Sequence, residues 1–396
     1  MQSIKKTLIL IVDDTLQNIQ VLGNILYEKG YSVSIATSGM ETLRYVKNTI
    51  PDLILLDIQM PEMDGFEVCK ILKSSSKTKD IPIIFLTAEA ETETIVHGFE
   101  LGAVDYITKP FNSAELIARV ATHIELKKAK ENVEALNKKL SDAYDQIKDS
   151  INYAKIIQEE MLPDLNILQE KGIQHFVIYM PKDIVSGDFY WVKYCNEKLF
   201  LVVADCTGHG VPGALISMSG HNLLNEIINI EKIYNPSEIL NNLNNRVRNI
   251  FKQGLSKINE GMDIAMCVID TKTKTVEYAG ANSPVCYITN NSFKKLLPDK
   301  FTIGDDKIEN KKSIFKTQVV KFKSGDRFFM FTDGILDQFN NADKKRITKK
   351  GFENHLSSYI DKPFNSIKND LLEYLKEWQG SNYQTDDILI FGFEIS

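Results

Sequence analysis

The sequence predicts three parts: a doubly wound α/β domain with a five-stranded parallel sheet over residues 1–123, a helical coiled-coil linker over 124–161, and an α+β domain over 162–396. Three observations carry this reading. Short apolar runs alternate with helical patterns in the first third of the chain. One helical pattern then continues from near Ser113 with no Gly or Pro before Pro163. Beyond it, strand-like runs gather between two pairs of helical patterns. A length of 396 residues leaves room for two or three domains, each with its own core.

In the first part, Leu8–Val12 is continuously apolar and runs into Asp13 and Asp14. Residues 15–29 have helical spacing (Ile19, Leu22, Ile25, Leu26), closed by Gly30. Further strands read at Val33–Ala36, Leu53–Leu56, Ile83–Leu86 and Val104–Ile107. Wholly apolar strands separated by helices imply a parallel sheet covered on both faces. Working residues of such sheets lie beyond the carboxyl ends of the strands. Asp13, Asp14, Asp57, Thr87 and Lys109 stand there. Each alone could be a helix cap or a solvated charge. Together with Asp57-Ile-Gln-Met-Pro-Glu-Met-Asp-Gly65 and Lys109-Pro110, they resemble response-regulator receiver domains. The resemblance implies that Asp57 accepts a phosphoryl group from a sensor histidine kinase. It also implies that Asp13, Asp14, Asp57 and the Gln59 carbonyl hold Mg²⁺, that Thr87 and Lys109 bind the phosphoryl oxygens, that Tyr106 is the switch aromatic, and that the Lys109–Pro110 bond is cis. The chemistry agrees, because a carboxylate nucleophile crowded by two others needs a cation to receive a phosphate.

In the second part, apolar positions step by threes and fours: Leu126, Ala129, Val133, Leu136, Leu140, Ala143, Ile147, Ser150, Ala154, Ile157 and Met161. A seam sustained over about five heptads is the signature of a coiled coil. The competing reading is a long amphipathic helix packed on its own C-terminal domain; the length and the charged flanks favour a parallel homodimer. Ala129, Ala143 and Ala154 weaken the seam, which suits a helix whose packing must change.

In the third part, Leu199–Ala204 reads as a buried strand ending on Asp205, followed by Gly208, Gly210 and Gly213. Gly187–Tyr194 reads as a second strand. A hairpin turning at Asn196-Glu197 pairs Cys195 with Lys198 and, in step, sets Asp188 opposite Asp205. Facing like charges destabilise a sheet unless something positive lies between them. Phe328–Phe331 runs into Thr332-Asp333-Gly334, and Asp386-Asp387 opens a strand reaching Phe393. Hard divalent cations prefer oxygen ligands, and a pair of them can activate water and neutralise a phosphoryl group.

These motifs resemble the SpoIIE/RsbU-like serine/threonine phosphatases, a bacterial branch of the metal-dependent protein phosphatases, over roughly residues 162–396. The resemblance implies a four-layer αββα fold and a Mn²⁺ or Mg²⁺ pair. It makes Asp188 and Asp205 ligands, with Asp188 bridging, adds the Cys206 backbone carbonyl, and completes the second site with Asp333 and Asp386. It also implies a phosphorylated STAS-type anti-anti-sigma protein as substrate. Helices at 213–230 and 236–253 are expected on one sheet face, and 346–360 with 364–379 on the other. Strands are expected at 263–270, 274–280, 284–289, 314–322, 326–332 and 387–395. Ser186 and the Gly280–Pro284 loop depart from the family pattern without removing a ligand. A cysteine-phosphatase loop on Cys206 fails because position 212 is Pro where Arg would be needed. His209 is expected as a loop residue near the metals, and Lys182 as a solvated lysine.

Composition excludes several classes. With 43% hydrophobic and 25% charged residues the chain is ordinary globular protein, and its net charge of −6 offers no nucleic-acid footprint. A DNA-binding output would need a basic helix-turn-helix where an acidic coil stands. Five scattered cysteines, no spanning apolar run and no signal core point to the cytoplasm, away from membranes. A non-catalytic adaptor would lack a metal ligand, and none is missing. The expected function is a response regulator whose output is metal-dependent dephosphorylation, controlled at Asp57.

Overall fold

The computed structural model describes residues 6–88, 92–252, 261–304, 315–340 and 345–396. The chain divides into two compact units, Met1–Tyr144 and Asp145–Ser396.

The first unit alternates β1 (Leu8–Val12), α1 (Leu16–Glu28), β2 (Ser32–Ala36), α2 (Gly39–Asn48), β3 (Leu53–Asp57), α3 (Gly65–Ser74), β4 (Ile83–Thr87), α4 (Thr92–Glu100) and β5 (Asp105–Thr108). The strands form one parallel sheet in the order β2-β1-β3-β4-β5. Strand periodicity splits each apolar run between two cores. Leu10, Val12, Ile54 and Leu56 face one core, while Ile9, Ile11, Leu53 and Leu55 face the other. The following helix, α5, spans Ser113–Met161. Its root packs Leu116, Val120 and Ile124 into the second of these cores. Lys127 Nζ then reaches the Pro51 and Asp52 carbonyls at 3.4 and 3.3 Å. Further along, Leu126, Val133, Leu136, Leu140 and Ile147 all lie exposed.

The second unit continues with α6 (Asn166–Glu170), β6 (Ile173–Met180), β7 (Phe189–Cys195), β8 (Lys198–Cys206), α7 (Gly210–Asn225), which ends in a π-helical turn at Glu226–Ile230, and α8 (Pro236–Lys252). Then come β9 (Met262–Asp270), β10 (Thr275–Ala281), β11 (Val285–Thr289), β12 (Ser292–Leu296), β13 (Gln318–Lys321), β14 (Asp326–Phe331), α9 (Gly334–Asp337), α10 (Lys349–Ser357), α11 (Phe364–Gln379) and β15 (Ile388–Ile395). Two antiparallel sheets result, β13-β10-β9-β8-β7 and β12-β11-β14-β15-β6. Alternation again assigns the faces. In β8, Leu199, Leu201 and Val203 fill the space between the sheets, while Phe200, Val202 and Ala204 pack under α7 and α8. In β14, Phe328 and Met330 face the other sheet, and Phe329 and Phe331 pack with α10 and α11. The layers therefore run helix, sheet, sheet, helix. Gly392 leaves a gap in β15 that the Phe176 ring of β6 fills; a Cβ at Gly392 would meet that ring at 2.3 Å.

Several expected boundaries move. The helix expected at 346–360 begins at Lys349 because the Thr348 hydroxyl accepts the Gly351 N–H and caps it, and it tightens to a 3₁₀ turn at Ser358–Asp361. The helix expected from 213 begins at Gly210. The strand expected at 314–322 is β13, from Gln318 to Lys321; position 314 lies outside the described residues, as does the last position of the helix expected at 236–253. No helix among the described residues is long and apolar enough to cross a membrane.

Candidate active site

Two carboxylate sites lie at strand ends, one in each unit. In the first, Asp13 follows β1, Asp57 ends β3, and carboxylate oxygens of Asp13, Asp14 and Asp57 lie within 4.8 Å of one another. Asp13 is fixed by the Thr15 N–H at 2.9 Å and by Asn18 Nδ2, 3.0 Å from each of its oxygens. Lys109 Nζ stands 2.9 Å from both Asp13 Oδ2 and Asp57 Oδ2, and its peptide bond to Pro110 is cis. Burial raises the Asp57 pKa, the Lys109 hydrogen bond opposes this, and Asp13 adds to it. Thr87 ends β4, one residue past Leu86, the partner of Asp57 across the β3–β4 ladder. Tyr106 is half-buried on β5, with the Arg119 guanidinium 5.7 Å from its ring centre. Gln59 is exposed just beyond β3, and its backbone N–H is directed to Asp57.

The second site joins the two antiparallel sheets. The β7–β8 hairpin has the expected register, Cys195 on Lys198 through Phe189 on Ala204, and turns at Asn196 and Glu197 with φ of 50° and 60°. Positive φ at both central residues suits the twist of a two-residue hairpin. Asp188 therefore lies one residue beyond the ladder beside Asp205, which pairs on its other side with Asp263 of β9. From the second sheet come Asp333 after β14 and Asp386 before β15. These ends approach because Gly334 has no side chain: a Cβ there would lie 1.8 Å from the Asp387 carbonyl. Asp205, Cys206, Asp263, Asp333 and Asp386 line one cavity of about 250 Å³. Oxygens of Asp333, Asp337 and Asp386 lie within 4.8 Å of one another. The Cys206 thiol is buried in the core, so only its backbone carbonyl is available to the site.

Electrostatics shows what this arrangement needs. Burial holds the Asp188 carboxyl well above the usual carboxylate range, and Asp387, Asp386 and Asp333 add repulsion. Burial, with Asp188 and Asp333 close by, pushes Asp205 up to about 11. Asp333 and Asp263 are raised in the same direction, chiefly by burial. Buried, mutually repelling carboxylates suit divalent cations, which prefer oxygen donors and relieve the repulsion. A pH dependence follows. In the unfolded chain these acids ionise near pH 4, whereas the metal-free fold keeps them protonated far above that, so its stability falls as pH rises through this window toward about 11. The melting temperature in EDTA should therefore be lower at pH 8 than at pH 5.5, and Mn²⁺ should raise it more at pH 8. Equal values at the two pH values in EDTA would contradict the raised carboxylates.

Several contacts of the site were not anticipated. Asp263 accepts hydrogen bonds from Thr302 Oγ1 at 2.8 Å and Asn282 Nδ2 at 3.1 Å, the latter on the atypical Gly280–Pro284 loop. Asp337 pairs with Arg346 at 2.6 Å. Asp387 accepts backbone N–H groups from Lys182 and Gly187, each at 2.7 Å, so both its oxygens hold the loop leading to Asp188. Gln158, on the last turns of α5, is buried and clasps the same loop: its Nε2 donates to the Ser186 carbonyl at 2.7 Å and its Oε1 accepts the Ser186 N–H at 3.0 Å. The Ser186 hydroxyl in turn accepts the Asp188 N–H at 3.1 Å. His209 Nδ1 lies 2.6 Å from Asp183 Oδ2.

Comparison with known proteins agrees with this geometry. Residues 9–121 match the response regulator receiver domain family, and residues 196–396 match stage II sporulation protein E (SpoIIE). The chain resembles the solved SiaA-PP2C domain of Pseudomonas aeruginosa with 28% identity and a TM-score of 0.57, covering 64% of this chain and 99% of that one. A probable cyclic di-GMP phosphodiesterase of Vibrio cholerae is 34% identical over 48% of this chain and 44% of its own length. The DNA-binding response regulator MtrA of Mycolicibacterium paratuberculosis is 40% identical over 29% of this chain and 50% of its own. The chain thus spans half or less of the length of these two curated relatives. With a receiver fold ahead of a PP2C-like double sheet and the SpoIIE match over half of its residues, the chain belongs to the SpoIIE phosphatase family, in a form that carries a response-regulator receiver domain.

Proposed function

We propose that this protein is a response regulator whose output is metal-dependent dephosphorylation of phosphoserine or phosphothreonine on a protein. The observation that carries the reading is the meeting of strand-end carboxylates from two sheets: Asp205 from one and Asp333 and Asp386 from the other line a single cavity, and the buried Asp188 repels Asp333 and Asp386, a repulsion that calls for cations. Asp205, Asp333, Asp386 and the Cys206 carbonyl would hold Mn²⁺ or Mg²⁺, with Asp188 bridging. When bound, such a pair supplies an acidified water and neutralises phosphoryl oxygens. Among the chain's own groups, Asp387 and Gln158 fix the loop bearing Asp188, and the Asp183–His209 pair places an imidazole able to carry a proton one residue from the cavity wall.

Asp57 is proposed as the acceptor of a phosphoryl group from a histidine kinase, with Mg²⁺ held by Asp13, Asp14, Asp57 and the Gln59 carbonyl, Thr87 and Lys109 binding the phosphoryl oxygens, and Tyr106 as the switch. The family resemblance supports a STAS-type phosphoprotein substrate. Two chains are proposed to pair through the α5 seam, with Gln158 carrying changes in that helix to the Asp188 loop. The direct test is Mn²⁺-dependent hydrolysis of p-nitrophenyl phosphate, with and without acetyl phosphate. No hydrolysis with any divalent cation would overturn the reading. Asp57→Asn keeps the shape and removes the nucleophile. It should take up no phosphoryl group from acetyl phosphate, as read by intact-protein mass, and undiminished uptake would mean another acceptor.

A further inference from the structure

Thr332 is buried at the end of β14, in the sheet that supplies Asp333 and Asp386, and its side chain crosses to the other sheet. Its hydroxyl makes two close contacts of opposite sense and a longer one, 3.4 Å, to the Leu389 carbonyl. It accepts the Leu389 N–H at 3.0 Å, taking the place of a backbone carbonyl where the β14–β15 ladder ends. It donates to Asp188 Oδ2 at 2.7 Å. A hydroxyl has one proton to give, and of the two acceptors in reach Asp188 Oδ2, at 2.7 Å against 3.4 Å for the Leu389 carbonyl, is the nearer, so the proton is aimed at Asp188. Among the described residues, Thr332 is the only side chain that donates to this carboxylate.

We infer that Thr332 is a positioning residue for the metal centre, its hydroxyl setting the rotamer of the Asp188 carboxylate so that one sheet registers the ligand carried by the other. Hydrogen-bond partners of ligating groups typically govern metal affinity by 10–100-fold. The inference rests on the reading that this site holds divalent cations.

Mn²⁺ binding, measured by calorimetry on the full chain carrying Asp13→Asn and Asp14→Asn to silence the proposed receiver site, separates a hydroxyl role from a packing role. Thr332→Val keeps the shape and removes the donor, and it should bind Mn²⁺ about 10–100-fold more weakly. Thr332→Ser keeps the hydroxyl and loses a methyl group, and it should stay within about threefold of wild type on the same scale. In turnover, the Val variant should need more Mn²⁺ for half-maximal rate while approaching the wild-type kcat at saturation. Because Val also leaves the Leu389 N–H unpaired, Thr332→Cys, with an acceptor sulfur and a weak donor, carries the test if Val fails to fold; its affinity should lie between those of Ser and wild-type-shaped Val. A folded Val variant with wild-type Mn²⁺ affinity, a Cys variant that binds more tightly than Ser, or Val binding better than Ser would overturn the inference. On that receiver-silenced background, Mn²⁺ binding without phosphoester hydrolysis would remove the phosphatase reading and leave Thr332 standing, whereas no Mn²⁺ binding would remove both.

Discussion

Asp188→Asn should lose Mn²⁺-dependent turnover by at least about 10²–10³-fold, the scale of removing one stabiliser of transition-state charge. The same substitution should raise the melting temperature in EDTA at pH 8. Both effects have one cause. Asp188 is only 2% exposed, and it faces Asp387, Asp386 and Asp333, so in the metal-free fold its charge is costly. Asn has the same shape and keeps an oxygen that can accept the Thr332 hydroxyl, but it carries no charge to repel its neighbours and is a poor bridge between cations. Stability and activity should therefore move in opposite directions, as expected where a site is held in tension for function. Turnover near the wild-type level would remove Asp188 from the metal site. A lower melting temperature in EDTA would show that its charge is not the destabilising element.

Replacing both Leu136 and Leu140 with Asp should convert the proposed dimer to a monomer, as read by light scattering at micromolar concentration. These side chains are 64% and 69% exposed on the single chain, in a helical stretch where Val133 and Ile147 are exposed as well. Covering each large aliphatic side chain is worth roughly 1.5–3 kcal/mol. Two aspartates per helix would instead set four carboxylates into the seam with no cation to meet them. Mn²⁺ binding by the second unit should be unaffected, because that unit keeps its own core and the carboxylates proposed to hold the ion. Loss of any response to acetyl phosphate is the functional counterpart. A variant that stayed dimeric and still responded would place the signal in a different contact.

The sequence made the ligand geometry readable because the proposed ligands stand at the margins of apolar runs, Asp188 and Asp386 before a strand and the others after one. Asp13, Asp57, Asp205 and Asp333 all end such runs, and the Asn196-Glu197 turn was enough to bring Asp188 beside Asp205. What it concealed were groups whose local pattern is ambiguous. Asp263 sits within the first residues of a strand and reads as an ordinary edge position until the ladder sets it opposite Asp205. Asp337 lies four residues after Asp333, a helical spacing, but on a helix of one turn that hydrophobic periodicity cannot detect. Gln158 lies off the a/d seam and is indistinguishable in sequence from the solvated glutamates beside it; only the fold shows that it is buried on Ser186. Among the strands, β6 and β12 were missed. Their polar members, Gln174 and His175 in one and Lys294 and Lys295 in the other, dilute the apolar signal at the sheet margins.

The gap at Gly392 bears on how this family can vary. The Phe176 ring occupies the space that any larger residue at 392 would need, and the two positions are direct partners across β6 and β15. A first step to Ala at 392 alone would force the ring out of the core, at a cost of about 1–3 kcal/mol for overpacking. Trimming Phe176 alone would open a void costing about 3–5 kcal/mol. Neither single exchange is an easy intermediate, so descendants of this sequence should change the two positions together or not at all, and a glycine at one should accompany a large ring at the other.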